Sequence, residues 1–172
     1  MKHISTPLDD NIISSLRIGD EVLLSGTILT ARDQAHLRIC ELLKKHGTLP
    51  VKLNGRVIYY CGPTLATKGE VIGSCGPTTS RRMDEFTPAI LKAGVNGLIG
   101  KGGRSVEVIE AIKKYKAVYF AAPAGCGSYL NTKVISSNIV AFPDLGPEAV
   151  YELEVRDFPL IVAVDARGKS LY

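Results

Sequence analysis

Apolar residues in this chain fall in short runs whose period keeps changing, from the alternation of strands to the three-and-four spacing of helices. Glu21 to Leu29 reads as one bent strand with a bulge at Gly26, or as a strand pair. Thr30-Ala31-Arg32-Asp33 then has the form of a capping box. The helix it opens would bury Ala35, Ile39, Leu42 and Leu43 and stop at His46-Gly47, with Cys40 on the same stripe as a small buried hydrophobe. Val51 to Tyr60, with Asn54-Gly55 at its middle, predicts a β-hairpin. Glu70-Val71-Ile72 reads as a short strand, and Glu85 to Ala93 as a helix in which Thr87-Pro88 marks a kink or a second start.

The second half continues the alternation. A strand is expected at Val95–Ile99. A helix capped by Ser105 should run through Tyr115, with Val106, Ile109 and Ile112 inward and Glu110 paired to Lys114. Ala117–Ala121 is a buried-type strand; further strands are expected near Val134–Val140, Ala149–Val155 and Leu160–Val164, with a turn at 166–169. Mixed strands and helices without a linker or repeat predict one α/β layered domain over 1–172, preceded by an extended arm at residues 1–15.

Composition narrows the function. The chain has 172 residues, 45% of them hydrophobic, which suffices for a sizeable core. Its net charge of +4 comes from dispersed basic residues rather than a basic stripe, so nucleic-acid binding is not expected. No apolar run approaches the roughly 18 residues of a membrane span, and Met1 to Pro7 lack the apolar segment of an export signal. Cys40, Cys61, Cys75 and Cys126 stand far apart, with no Cys-x-x-Cys pair, so reduced thiols in a cytoplasmic protein are the expectation.

Candidate chemistry concentrates in Gly73-Ser74-Cys75-Gly76-Pro77-Thr78-Thr79-Ser80-Arg81-Arg82-Met83-Asp84. Glycine and proline turn the backbone, hydroxyls follow, and two arginines precede a helix start. A strand-to-helix turn of this kind suits a small anion, and arginine offers a planar fork for a carboxylate or phosphate. Cys61-Gly62-Pro63-Thr64 repeats the Cys-Gly-Pro-Thr turn, either lining the same cleft or by coincidence. Gly100-Lys101-Gly102-Gly103 sits between strand and helix but departs from both the P-loop and the dinucleotide pattern. Arg32, Arg82 and Lys101 thus all fall just beyond strand ends, where open α/β sheets bind ligands. Three cations suit a dicarboxylate; a strong acid–base pair and a metal cage are both missing, which points to half an active site.

Thr30-Ala31-Arg32-Asp33-x-Ala35-His36, then Gly76-Pro77-Thr78-Thr79-Ser80-x-Arg82-Met83-Asp84, then Gly100-Lys101-Gly102 resemble the β subunit of class I iron–sulfur hydro-lyases, the family of class I fumarate hydratase and L(+)-tartrate dehydratase. The resemblance covers about Leu16 to Asp165; Arg81 stands where that family often has a small residue. It implies a swivelling β/β/α-type domain with a mixed sheet. It implies a hetero-oligomer with an α subunit whose three cysteines hold a [4Fe–4S] cluster, the open iron acting as a Lewis acid. It also implies that Arg32, Arg82 and Lys101 bind the substrate carboxylates, that Thr78 is the catalytic proton-transferring group, and that no residue here, Cys75 included, ligates metal. The expected reaction is reversible hydration of fumarate to (S)-malate, the alternatives being a tartrate dehydratase β subunit, a non-catalytic scaffold subunit or a nucleotide-binding module.

Overall fold

The computed structural model describes residues 1–172. In chain order its elements are β1 (Lys2–Ser5), α1 (Asp10–Ser15), β2 (Glu21–Thr30), α2 (Asp33–Lys44), β3 (Val57–Tyr59), α3 (Thr87–Lys92), β4 (Gly97–Gly100), α4 (Val106–Tyr115), β5 (Val118–Ala121), α5 (Gly127–Leu130), β6 (Val134–Ala141) and β7 (Val150–Val164). Strands β2, β3, β4 and β5 lie side by side and parallel, each joined to the next by a crossover that carries α2, α3 or α4. The long β7 pairs antiparallel with β5 and also with β2, so these five strands close a barrel. β1 extends the sheet along β2, and β6 extends it along β7. The result is a mixed-sheet α/β domain, and no helix is long and apolar enough to cross a membrane.

Closure explains the apolar runs. Val57, Tyr59, Ile99, Val118 and Phe120 point into the barrel with Phe158. Their neighbours Ile58, Tyr60, Leu98 and Tyr119 point outward into a second core under the helices. Both faces of β3 to β5 are therefore buried, and period-two alternation of polarity disappears.

Several local expectations change. β3 has three residues and is flanked by β2 and β4, which leaves no edge for a hairpin partner. The stretch before it descends from α2 with Leu53 buried on the helix side, and Asn54-Gly55 turns it into β3, with Gly55 at φ 72°. The capping box does not form. β2 runs on through Thr30, whose hydroxyl accepts Tyr151 N–H at 3.1 Å, and Arg32 is the N-cap without a side-chain bond. Glu70–Ile72 is bent rather than a strand.

Ser105 does cap α4, accepting Val108 N–H at 3.3 Å; Ile112 is buried and Ile109 packs partly on the same core as expected, but Val106 is exposed and Val108 and Ala111 face inward instead. The two strands expected between Ala149 and Val164 are one. Asp157, at φ 49°, donates its N–H to Ser25 Oγ opposite the Gly26 irregularity, and the ladder with β2 resumes across Pro159. Residues 1–15 form β1 and α1, with Leu8 and Ile13 buried.

Gly100 ends β4 where the chain cannot carry a side chain: a Cβ there would overlap Ser80 Oγ and lie 2.8 Å from Tyr60 Cδ2. Gly100→Ala should cost about 1–3 kcal/mol through overpacking, read as a lower urea midpoint at unchanged m-value.

Candidate functional site

Three adjacent parallel strands end at one rim. Arg32 lies two residues past β2, Cys61-Gly62 follows β3, and Lys101 directly follows β4. Residues 76–84 cross this rim. Thr78 donates its N–H to Tyr60 O at 2.7 Å, which fixes its backbone and leaves its hydroxyl outside that bond. Thr79 bridges Lys101 in parallel; Ser80 N–H reaches Lys101 O and Lys101 N–H reaches Ser80 Oγ, both at 3.0 Å.

Arg82 closes the constellation. Its Nε and Nη2 form a fork onto Asp33 Oδ1 (3.1 Å) and Oδ2 (2.6 Å). Arg32 Nε stands 3.9 Å from that same Oδ2 and 3.8 Å from Glu148 Oε1. Arg32 lies across Gly62, where a Cβ would approach its Nη1 to 2.8 Å, so only glycine lets the guanidinium lie over this turn. Arg32, Thr78, Arg82 and Lys101 are thereby gathered at one end of the barrel.

This anchoring differs from a strand followed by a helix N-terminus. Ser80–Met83 is a four-residue 3-10 turn, so the positive character comes from side chains rather than a helix dipole. The Gly100–Gly103 loop is not a phosphate cradle either: Lys101 N–H is taken by Ser80, and Ser105 N–H at the start of α4 by Asp84 Oδ2 at 2.7 Å. The two Cys-Gly-Pro-Thr turns lie together, Thr64 N–H donating to Ser74 O at 3.0 Å.

Beneath the rim lies a buried polar layer. Tyr119 donates its hydroxyl to Gly102 O at 2.7 Å, so the 2.9 Å bond to Ser80 Oγ carries the serine proton. Arg104, its side chain wholly buried, bonds Asp84 Oδ1 through Nε (2.7 Å) and Thr87 Oγ1 through Nη2 (2.8 Å). Its guanidinium carbon lies 5.3 Å from the ring centre of Tyr60 and 4.9 Å from that of Tyr119.

His36 is fully buried against Tyr60 and Phe86 and donates Nδ1–H to Arg32 O at 2.7 Å; a carbonyl can only accept, which sets the tautomer. Burial, reinforced by the Arg104 charge, lowers its pKa to about 4, so the ring is neutral at pH 7. Asp33, His36 and Asp84 lie within the sequence motifs of the site, whereas Ser80, Arg104 and Glu148 had no role assigned from sequence. An arginine inside a glycine-rich strand–helix turn was a signal for Arg104; nothing local marks Glu148, which arrives from the β6–β7 connection.

An iron–sulfur cluster does not fit this chain's residues. No three His, Cys, Asp or Glu side chains converge into a cage. Burial drives the Cys75 thiol up to about 12 and those of Cys61 and Cys40 upward as well, away from the thiolate that a metal requires.

Fold and rim together describe a closed mixed-sheet α/β barrel domain that carries Arg32, Arg82 and Lys101 at one end. The family model described as "Fumarase C-terminus" matches residues 3–172. The chain is 43% identical to "Putative L(+)-tartrate dehydratase subunit beta" of Methanocaldococcus jannaschii, an alignment that spans all of this chain and 91% of that one. Identity is 36% to the L(+)-tartrate dehydratase subunit beta of Escherichia coli K12, over 99% of this chain and 86% of that protein. It is 37% to Fumarate hydratase 2 of Leishmania major, over 93% of this chain but 28% of that longer protein. The chain belongs to the fumarase C-terminus family, together with β subunits of tartrate dehydratases.

The buried neutral His36 predicts a pH dependence. Unfolded histidine takes up a proton near 6.5, whereas His36 in the fold resists until about 4. Stability is thus complete above pH 6.5 and falls as pH drops toward 4, by roughly 3 kcal/mol over that window. Urea unfolding at pH 7 and at pH 4.5 should show the loss, and His36→Asn should flatten the slope between them.

Proposed function

We propose that this chain is the β subunit of a hydro-lyase that adds water reversibly to an unsaturated dicarboxylate, with fumarate and (S)-malate as its pair. The observation supporting this is the meeting of Arg32, Arg82 and Lys101 beside Thr78 at one rim. Three cations supply a partner for each substrate carboxylate and a third charge to set orientation. Asp33 holds the Nε and Nη2 face of Arg82, and the remaining guanidinium N–H groups stay available to substrate.

When the carbon beside a carboxylate loses its proton, negative charge flows onto that carboxylate. Cations already held in place stabilise this charge without reorganising. Thr78 serves as the proton-transferring group. A free threonine hydroxyl is a poor base, and the neighbouring Arg82 and Lys101 favour its ionised form.

In this reading the [4Fe–4S] cluster belongs to an α subunit, since the thiols here are buried or solitary and form no cage. The working enzyme is then a cytoplasmic hetero-oligomer in which residues 1–172 act as one domain. Tartrate is the second reading. The relatives matched along most of their length carry tartrate dehydratase names, and tartrate differs from malate by one hydroxyl that the same three cations would not sense.

Anaerobic co-expression with the α-type partner should give a complex that hydrates fumarate or dehydrates tartrate. In that complex Arg82→Ala should lower kcat/KM by about 100-fold or more. Turnover retained in Arg82→Ala would make this chain a scaffold subunit. Calorimetry showing ATP or NAD bound in preference to malate would instead support a nucleotide-binding module.

A further inference from the structure

The backbone of Thr78, the surroundings of Lys101 and the turn that carries Arg82 are each held by a neighbour that touches Arg104. Tyr60, whose carbonyl holds Thr78 N–H, lies face-on to the Arg104 guanidinium. Tyr119, whose ring centre is 4.9 Å from that guanidinium carbon, holds Ser80 and Gly102, the residues next to Lys101 in space and in sequence. Asp84, two residues after Arg82, takes Arg104 Nε on one oxygen and Ser105 N–H on the other. Thr87, which takes Arg104 Nη2, donates its own hydroxyl to Met83 O at 2.8 Å, fixing the turn that carries Arg82. Even Arg32 is connected, because His36 packs on Tyr60 and grips the Arg32 carbonyl.

A wholly buried guanidinium is an unusual choice if stability alone were at stake. Replacing a buried ion pair by well-packed apolar groups is often neutral or stabilising. What an apolar side chain cannot do is lay a planar fork against two rings while fixing a carboxylate and a hydroxyl in set directions. We propose that Arg104 is a positioning residue: from beneath the rim it sets the spacing between the Thr78–Arg82 segment and Lys101, and so the fit of the site to a dicarboxylate. It touches no substrate itself. This inference rests on the substrate reading given above.

The test uses the α–β complex and two readouts. Arg104→Lys keeps the charge but loses the fork, and Asp84→Asn keeps Arg104 while weakening its partner; the second variant serves if the first does not fold. Ile112→Val, in the α4 core away from the rim, supplies a control for general loosening. The expected result is a rise in KM for the dicarboxylate of roughly 10- to 100-fold in Arg104→Lys or Asp84→Asn, larger than any change in kcat, with KM unchanged in Ile112→Val. Amide exchange of Lys101 and Ser105 should accelerate in the same variants, while β2 and β7 amides keep their protection.

Unchanged KM overturns the proposal, as does a KM that moves equally in Ile112→Val. If the wild-type complex turns over neither fumarate nor tartrate, the substrate reading has failed. Exchange then decides the strut alone: slow Lys101 and Ser105 amides in Arg104→Lys reject it, and fast ones uphold it.

Discussion

The antiparallel ladder between β2 and β7 is the constraint on which the site depends. Without it, β2 would be an open edge beyond β3, and the parallel strands would form a twisted sheet with a free flank. With it, β2, β3, β4, β5 and β7 close on themselves, and strand tilt and curvature are no longer adjustable. The ends of β2, β3 and β4 are thereby set at one rim with Arg32, Gly62 and Lys101 immediately beyond them. The Gly26 irregularity and the left-handed Asp157 opposite it let a fifteen-residue β7 bend enough to serve both neighbours.

On that rim, like charges are crowded together and must be held apart. Asp33 does this from the first turn of α2, accepting the Arg82 fork while standing near Arg32, and Glu148 adds a second carboxylate 3.8 Å from Arg32 Nε. These exposed or half-exposed pairs add at most about 1 kcal/mol each to stability, so their consequence is orientation rather than folding energy. The buried layer is different. Arg104 is removed from water and Asp84 nearly so, and breaking such a pair by truncating one partner costs about 3–5 kcal/mol. Orientation above and rigidity below are thus supplied by different ion pairs, one wet and one dry.

The neutral His36 belongs to the same economy of charge. A protonated imidazole there would face Arg104 across a dry core, so burial and that cation keep the ring neutral and make it a plain donor to the Arg32 carbonyl. Cys61 and Cys75, buried in the two Cys-Gly-Pro-Thr turns, stay protonated because burial disfavours the thiolate. The rim therefore offers fixed positive charge and a hydroxyl, but neither thiolate nor metal cage.

The sequence by itself determined the elements that announce themselves locally: the Gly26 bulge, the Ser105 cap, the β4 and β5 strands, and the places of Arg32 and Lys101 just beyond strand ends. These rest on short-range chemistry, namely residue type, turn residues and spacing along a few residues. Only tertiary structure decided the rest. Asn54-Gly55 reads as a hairpin until β2 and β4 occupy both sides of β3, and Thr30 reads as a cap until Tyr151 claims its hydroxyl. Glu148 joins Arg32, and Arg104 comes to lie under Tyr60 and Tyr119, through pairings that no local pattern encodes. Barrel closure brings them together, because partners distant in the chain become neighbours only once the strands between them are paired.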